Sequence, residues 1–369
     1  MPDMSDDAAR LRALRHEVRQ FVDEQIMASS FEVTADSWLS GWDPNFSQAL
    51  AARGWVGMTI PEDLGGRGRS YAERFVVTEE LLAVGAPVAA HWVADRQIAP
   101  SLLRHGTREQ QERFLPEIAS GRCYFAIGMS EPDAGSDLAA VRTKAVRVDG
   151  GWQLDGSKVW TSNAHRAHAF IALVRTTPRE QSSRHDGLTQ FIVHLDSPGV
   201  DVRPIQSLDG ESHFNEVVFD GVFVPDADLL GVVGAGWSQV TSELGFERSG
   251  PERFLSTFPA LARLVNMIRA GESDLIRGSV GASPVSQDCT SCPPTFLACF
   301  RMGDRLTWRR AWSRSWERST RAISRISWLS TRPQDPRPAT RRSESWPRSA
   351  CCGGRASRYV VAPTRSCAG

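Results

Sequence analysis

The chain is predicted to adopt an α+β architecture, with a helical N-terminal domain (1–121), an antiparallel β domain (122–234) and a resumed helical segment (235–281). Three observations predict it. Apolar residues recur at helical spacing through residues 8–120, the period changes to two at Cys123, and helical spacing returns after Gly234-Ala235-Gly236-Trp237. Residues 282–369 sustain neither period and are expected to be disordered or poorly folded.

Taken in order, Leu11, Leu14, Val18 and Phe21 form the apolar face of a first helix. Pro61-Glu62-Asp63-Leu64-Gly65-Gly66 is a turn-rich break, and a helix resumes from Tyr71 to Val84. Thr107-Arg108-Glu109-Gln110 reads as a capping box opening a helix through Phe114 and Ile118. Strands are expected at Phe125–Ile127, Ala145–Val148, Trp152–Leu154, Ala169–Val174, Phe191–Leu195, Val200–Pro204 and Val217–Val224, divided by Asp-Gly and Gly-Gly turns. Beyond Gly234-Ala235-Gly236, read as a hinge, Leu261, Leu264, Val265 and Ile268 mark a further helix.

A chain of 369 residues has room for two or three domains with a sizeable core. Its formal charge of zero hides an asymmetry, since residues 282–369 hold 16 arginines against 5 acidic residues and no lysine. Cysteine is as uneven, with Cys123 alone before that segment and six cysteines within it. Residues 1–281 therefore read as a reduced, cytoplasmic protein. The N-terminal stretch shows no apolar signal core, and no window is apolar enough for a membrane span.

Composition also suggests what the last segment is. With 41 Arg to 2 Lys overall, the sequence has the bias of GC-rich coding, and the segment resembles translation in a shifted reading frame. An Arg/Ser/Trp tail could bind nucleic acid through phosphates and stacking, but no recognisable motif accompanies it. Cys289, Cys292, Cys299, Cys351 and Cys352 are irregularly spaced for zinc, and no histidine joins them.

Chemistry concentrates in two short stretches, Gly128-Met129-Ser130-Glu131-Pro132-Asp133-Ala134-Gly135-Ser136-Asp137 and Lys158-Val159-Trp160-Thr161-Ser162-Asn163, each expected where a strand ends. Ser130 and Ser162 offer small hydroxyl donors, and Gly135-Ser136 lets backbone amides approach phosphate oxygens. Trp160 offers a face for a flat ring system. Taken singly, the serines also suit turns or caps, and the tryptophan also suits a core. His165, His168 and His213 lack metal-ligand spacing and read as packing or surface residues.

Both stretches resemble the flavin-binding middle domain of acyl-CoA dehydrogenases, whose patterns read T/S-E-P-x-x-G-S-D and W-x-T/S-N. Further similarity lies in Val56–Gly66, His105-Gly106-Thr107, Phe114-Leu115-Pro116, Ser120-Gly121 and Asn215–Pro225. The resemblance covers residues 1–272 and implies an FAD-dependent α,β-dehydrogenation of an acyl-CoA thioester, by α-proton removal and β-hydride transfer to flavin N5. It places Ile127, Met129, Ser130, Gly135, Ser136, Trp160, Thr161 and Ser162 at FAD, and Ser136 and Arg248 at substrate. Family members carry the base glutamate either in a segment like Phe246-Glu247-Arg248 or in a later Tyr-Glu-Gly-Thr-like one. Only the first is present, which makes Glu247 the candidate base, beside the alternative that Glu247 and Arg248 are a solvated helix pair.

Implied partners are an electron-transferring flavoprotein as acceptor and further subunits in a homotetramer or a heterotetramer with a paralogue. The family's C-terminal bundle completes the FAD site of a neighbouring subunit. Its Arg-x-x-Phe-Gly and Gly-Gly-x-Gly segments do not occur here, so activity is expected to be impaired. Two other functions stay open: a non-catalytic subunit of a hetero-oligomer, and another flavin oxidase or monooxygenase chemistry on the same fold.

Overall fold

The computed structural model describes residues 4–178, 183–208, 210–248 and 250–269. The expectations for residues 270–369, including the shifted-frame, zinc and nucleic-acid readings, lie outside the described residues.

Six helices build the N-terminal part: α1 (Met4–Met27), α2 (Pro44–Ala52), α3 (Tyr71–Ala83), α4 (Ala89–Val93), α5 (Ala99–His105) and α6 (Arg108–Ala119). Their starts follow local chemistry. Asp43 caps α2 by accepting from the Phe46 amide at 3.0 Å, with Pro44 following it. Thr107 and Gln110 form the expected capping box on α6, and Ser70 with Glu73 forms another on α3. The turn at Pro61–Gly66 contains a 3-10 turn, Glu62–Leu64, closed by Gly65 at φ 82°.

Leu14, Val18 and Phe21 are buried with Leu50, Trp55, Val77 and Leu81 in a first core, and Leu11 packs at its margin. Between α4 and α5 the helical path widens into a π-helical segment, Ala94–Ile98. Asp95 in that segment is buried and accepts from the Gly57 amide at 2.8 Å, which ties it to the loop after α2.

Eight strands follow among the described residues: β1 (Phe125–Gly128), β2 (Lys144–Val148), β3 (Gly151–Ser162), β4 (Ala169–Arg175), β5 (Leu188–His194), β6 (Val200–Ile205), β7 (Phe214–Pro225) and β8 (Leu229–Leu230). They form one sheet in the order β6-β7-β3-β2-β4-β5-β8, with β1 beside β4. The expected antiparallel sheet is mixed. β1 runs parallel to β4 along its length, and β2 meets β4 in parallel at Lys144 and Arg175, while the other pairings are antiparallel. A parallel pair needs a long connection. Residues 129–168, which include the whole β2–β3 hairpin, supply it between β1 and β4.

β4 is buried at every position, which accounts for its uninterrupted apolar run. One of its faces, with β1 and β5, joins Ile98, Leu102, Phe114, Leu115 and Ile118 of the helices. The other packs on Trp152, Leu154, Phe191, Val217 and Phe219 of the sheet. The helical part and the sheet thus share a continuous core.

Three helices close the described chain: α7 (Gly236–Arg248), α8 (Glu252–Leu255) and α9 (Phe258–Arg269). The expected hinge before α7 is instead an anchored turn. The Gly234 amide donates to Thr189 Oγ1 at 2.9 Å, and a Cβ on Gly236 would lie 2.8 Å from the Leu188 backbone. No described helix is long and apolar enough to cross a membrane.

Candidate functional site

The two polar stretches meet through their backbones. The Val159 amide on β3 donates to the Ser130 carbonyl at 2.9 Å, just beyond the end of β1. Behind this contact lies an ion pair. Lys158 is fully buried and donates to Glu131 Oε1 at 2.7 Å and to the Met129 carbonyl at 3.2 Å. Glu131 also accepts from the Arg142 amide at 2.7 Å and the Thr143 amide at 2.9 Å. Three backbone segments therefore converge on one carboxylate and one ammonium.

Burial lowers the Lys158 ammonium to about 8, against the opposing pull of Glu131. For Glu131, burial favours the neutral acid, yet Lys158 and the surrounding donors hold the carboxyl below its usual value. Sequence reasoning assigned this pair no role. A signal existed, because Lys158 follows Trp152 and Leu154 at even spacing on β3, which puts a charge at an inward position.

β3 runs through both expected regions, from the hairpin at Gly151 to Ser162. Its pairing with β7 shifts register between Leu154 and Gly156 and again between Lys158 and Thr161. The second shift presents the cofactor-binding candidate. Trp160 adopts φ 61°, is 60% exposed as a residue, and meets the Phe214 ring edge-on at 6.0 Å. Neither the bulge nor the positive φ favours a bulky aromatic residue.

Thr161 turns the other way. It is buried, its hydroxyl has no hydrogen-bond partner, and its carbonyl accepts from Asn215 Nδ2 at 3.0 Å. Asn163, also in the left-handed region at φ 54°, donates from Nδ2 to the Leu39 carbonyl at 2.9 Å, linking the motif to the helical part. Ser130 and Ser162 are both partly exposed, Ser162 at the last position of β3.

Gly135 and Ser136 lie in an exposed loop pinned by a two-bond bridge between Glu131 and Ala134 and by the Arg184–Asp137 ion pair. A Cβ on Gly135 would meet no protein atom within 4 Å, and its φ lies outside the left-handed region. The protein itself therefore gives no reason for glycine there. Ile127 packs against the core between helices and sheet, and Met129 packs beside Ala134, Val141, Leu173 and Val240. Their side chains serve the framework.

Glu247 and Arg248 occupy the last turn of α7, and their side chains lie outside the described part. One turn earlier, Glu243 is buried and accepts from Ser101 at 2.8 Å and Gln190 at 3.1 Å, which docks α7 against α5 and β5. His165 pairs with Asn215 at 2.9 Å, His168 stacks on Tyr124, and His213 packs on Phe214. No group of three metal-binding side chains exists among the described residues.

The residues present fit a flat, phosphate-bearing cofactor. An exposed tryptophan held in an unfavourable conformation, two small hydroxyls and an open glycine are what such a group would use.

Comparison with known proteins bears on the same region. Residues 9–122 match the acyl-CoA dehydrogenase N-terminal domain and residues 126–222 match the middle domain of that family. Acyl-CoA dehydrogenase FadE34 of Mycobacterium tuberculosis is 46% identical over 204 residues, covering 54% of this chain and 28% of FadE34. Among solved structures, the Tcur3481-Tcur3483 steroid ACAD is similar with TM-score 0.64 at 32% identity, over 75% of this chain and 69% of that one. The ChsE4-ChsE5 complex from Mycobacterium tuberculosis is similar with TM-score 0.56 at 32% identity, over 64% of this chain and 60% of that one. The chain spans 28%, 52% and 62% of three curated relatives it matches.

Proposed function

Because the chain belongs to the acyl-CoA dehydrogenase family, we propose that it carries out FAD-dependent α,β-dehydrogenation of an acyl-CoA thioester, with Glu247 as the base. The observation that carries this reading is Trp160, exposed and held at φ 61° between two serines of the motif pair. Bound FAD supplies a hydride acceptor.

The remaining chemistry falls to the chain's own groups. Ser130 and Ser162 donate hydrogen bonds to the polar edge of the cofactor, and Trp160 covers its ring. Thr161 contributes through its backbone, since its side chain is buried. Amides around Gly135 and Ser136 neutralise phosphate charge. Ser136 and Arg248 contact the CoA portion. Glu247 takes the α-proton, and a carboxylate does so effectively only where apolar surroundings raise its pKa. Donors at the thioester oxygen offset the charge that develops there. An electron-transferring flavoprotein is the proposed acceptor, and the domains are assigned to 1–121, 122–234 and 235–281.

The test uses the full chain supplied with FAD. Oxidised-flavin absorbance should appear and bleach on adding acyl-CoA. Glu247→Gln should keep the absorbance and slow bleaching by about 10²–10⁴-fold. Bleaching at the wild-type rate in that variant would remove Glu247 from the mechanism. A protein that stays colourless in excess FAD would remove the flavin reading.

A second reading is favoured by the similarity to the ChsE4-ChsE5 complex, whose name pairs two different chains. Here the chain acts as one subunit of a hetero-oligomer and a paralogue performs the chemistry. Co-expression with an intact paralogue should then give a stable mixed assembly by light scattering, with activity indifferent to Glu247→Gln. Separate elution of the two chains would exclude it.

A further inference from the structure

Stability alone gives little reason for a lysine inside the sheet, since apolar residues of similar volume often replace a buried ion pair without loss. The second hydrogen bond of Lys158 supplies another reason. Besides Glu131 Oε1 at 2.7 Å, the ammonium donates to the Met129 carbonyl at 3.2 Å, and its side chain is wholly shielded from solvent. Burial lowers the ammonium only to about 8, because Glu131 opposes the fall, so it stays charged at neutral pH. Glu131 is itself fixed by the Arg142 and Thr143 amides, which holds the ammonium in place.

The Met129 carbonyl shares one peptide unit with the Ser130 amide. That unit is trans, so its N–H points away from its carbonyl and from Lys158. The neighbouring groups are engaged. The Ser130 carbonyl accepts from the Val159 amide at 2.9 Å, and Glu131 and Ala134 exchange two backbone bonds of 3.0 Å. The Ser130 amide, by contrast, has no acceptor among the described residues. Ser130 is partly exposed and is bonded directly to the residue before Trp160.

A cation at the carbonyl end of a peptide draws electrons toward the oxygen and leaves the N–H a stronger donor. Such polarisation along a chain of hydrogen bonds strengthens each by about 10–30%. The row here runs from Glu131 through Lys158 and the Met129 carbonyl to the one amide left without a protein partner.

We propose that Lys158 is a positioning residue for the flavin: through the Met129–Ser130 peptide it makes the Ser130 amide a strengthened donor to the cofactor's polar edge, which raises the reduction potential of bound FAD. The proposal rests on the FAD reading above and adds how the chain tunes that group. FAD gains negative charge on reduction, so a stronger donor at its edge favours the reduced form over the oxidised one.

Dithionite titration of the full chain loaded with FAD, against a dye of known potential, tests it. Two double variants remove the charge without stranding a partner. Glu131→Gln with Lys158→Met also removes the donor, while Glu131→Gln with Lys158→Gln keeps a neutral one. In each, reduced FAD should lose about tenfold more affinity than oxidised FAD, a fall of about 30 mV for a two-electron couple. A pair with a structural role alone would weaken both redox forms equally, and an unchanged potential in these variants would overturn the proposal while leaving the FAD reading intact. So would a rise. If a urea melt shows that one double variant does not fold, the other decides. Wild-type protein that takes up no FAD would overturn the proposal together with the reading on which it rests.

Discussion

A Cβ placed on Gly128 would overlap the Phe170 ring at 1.9 Å, whereas one placed on Gly135 would touch nothing within 4 Å. These two glycines of one motif exist for different reasons. Gly128 makes room for the sheet's own core, whereas no protein contact accounts for Gly135, where the proposed cofactor's phosphates would approach. Gly135→Ala should therefore leave stability within about 0.5 kcal/mol, as expected for an exposed site without internal contacts. The same methyl should weaken FAD binding by about tenfold, by obstructing amide–phosphate approach. Denaturant melts and flavin titration separate the two effects, and unchanged FAD affinity would sink the phosphate role of this loop. Trp160 makes the matching case at the ring end of the site. A large aromatic residue exposed at positive φ has no advantage to the isolated fold.

At the scale of elements, the Glu131–Lys158 pair joins β3 to the loops after β1 and before β2. Removing one partner strands the other in a dry interior, which typically costs about 3–5 kcal/mol. Lys158→Met should destabilise by that order in urea melts, and Glu131→Gln with Lys158→Met should recover part of the loss. Additive losses in the double variant would show that the two groups act independently.

The element pattern was legible wherever periodicity is simple. Leu14, Val18 and Phe21 face a core at helical spacing, and the Thr107 box caps its helix as its spacing indicates. β3 was legible only as far as Leu154, because Gly156 interrupts the run of strand-forming residues and the shift between Lys158 and Thr161 then breaks the alternation on which strand reading depends. β1 looks like any short apolar strand. Its parallel pairing with β4 is decided by forty intervening residues rather than by its own four.

At the scale of the molecule, the described residues show a helical part and a mixed sheet that meet in a shared core, with α7 docked against it through Glu243. The amino-acid sequence by itself determined the order of helical and strand-forming segments, the motif pair, and hence the family. These depend on spacing within short windows, where local sterics and burial period dominate. Only the tertiary structure decided that Thr161 is buried while Trp160 is exposed, and that Lys158 finds Glu131. Each of those outcomes depends on strand register or on packing between distant segments. A one-residue shift in register reverses which face a side chain takes, and the shift itself is set by neighbours across the sheet. The two motif stretches could therefore be found by inspection, but their shared foundation, a buried ion pair behind an exposed ring, required the fold.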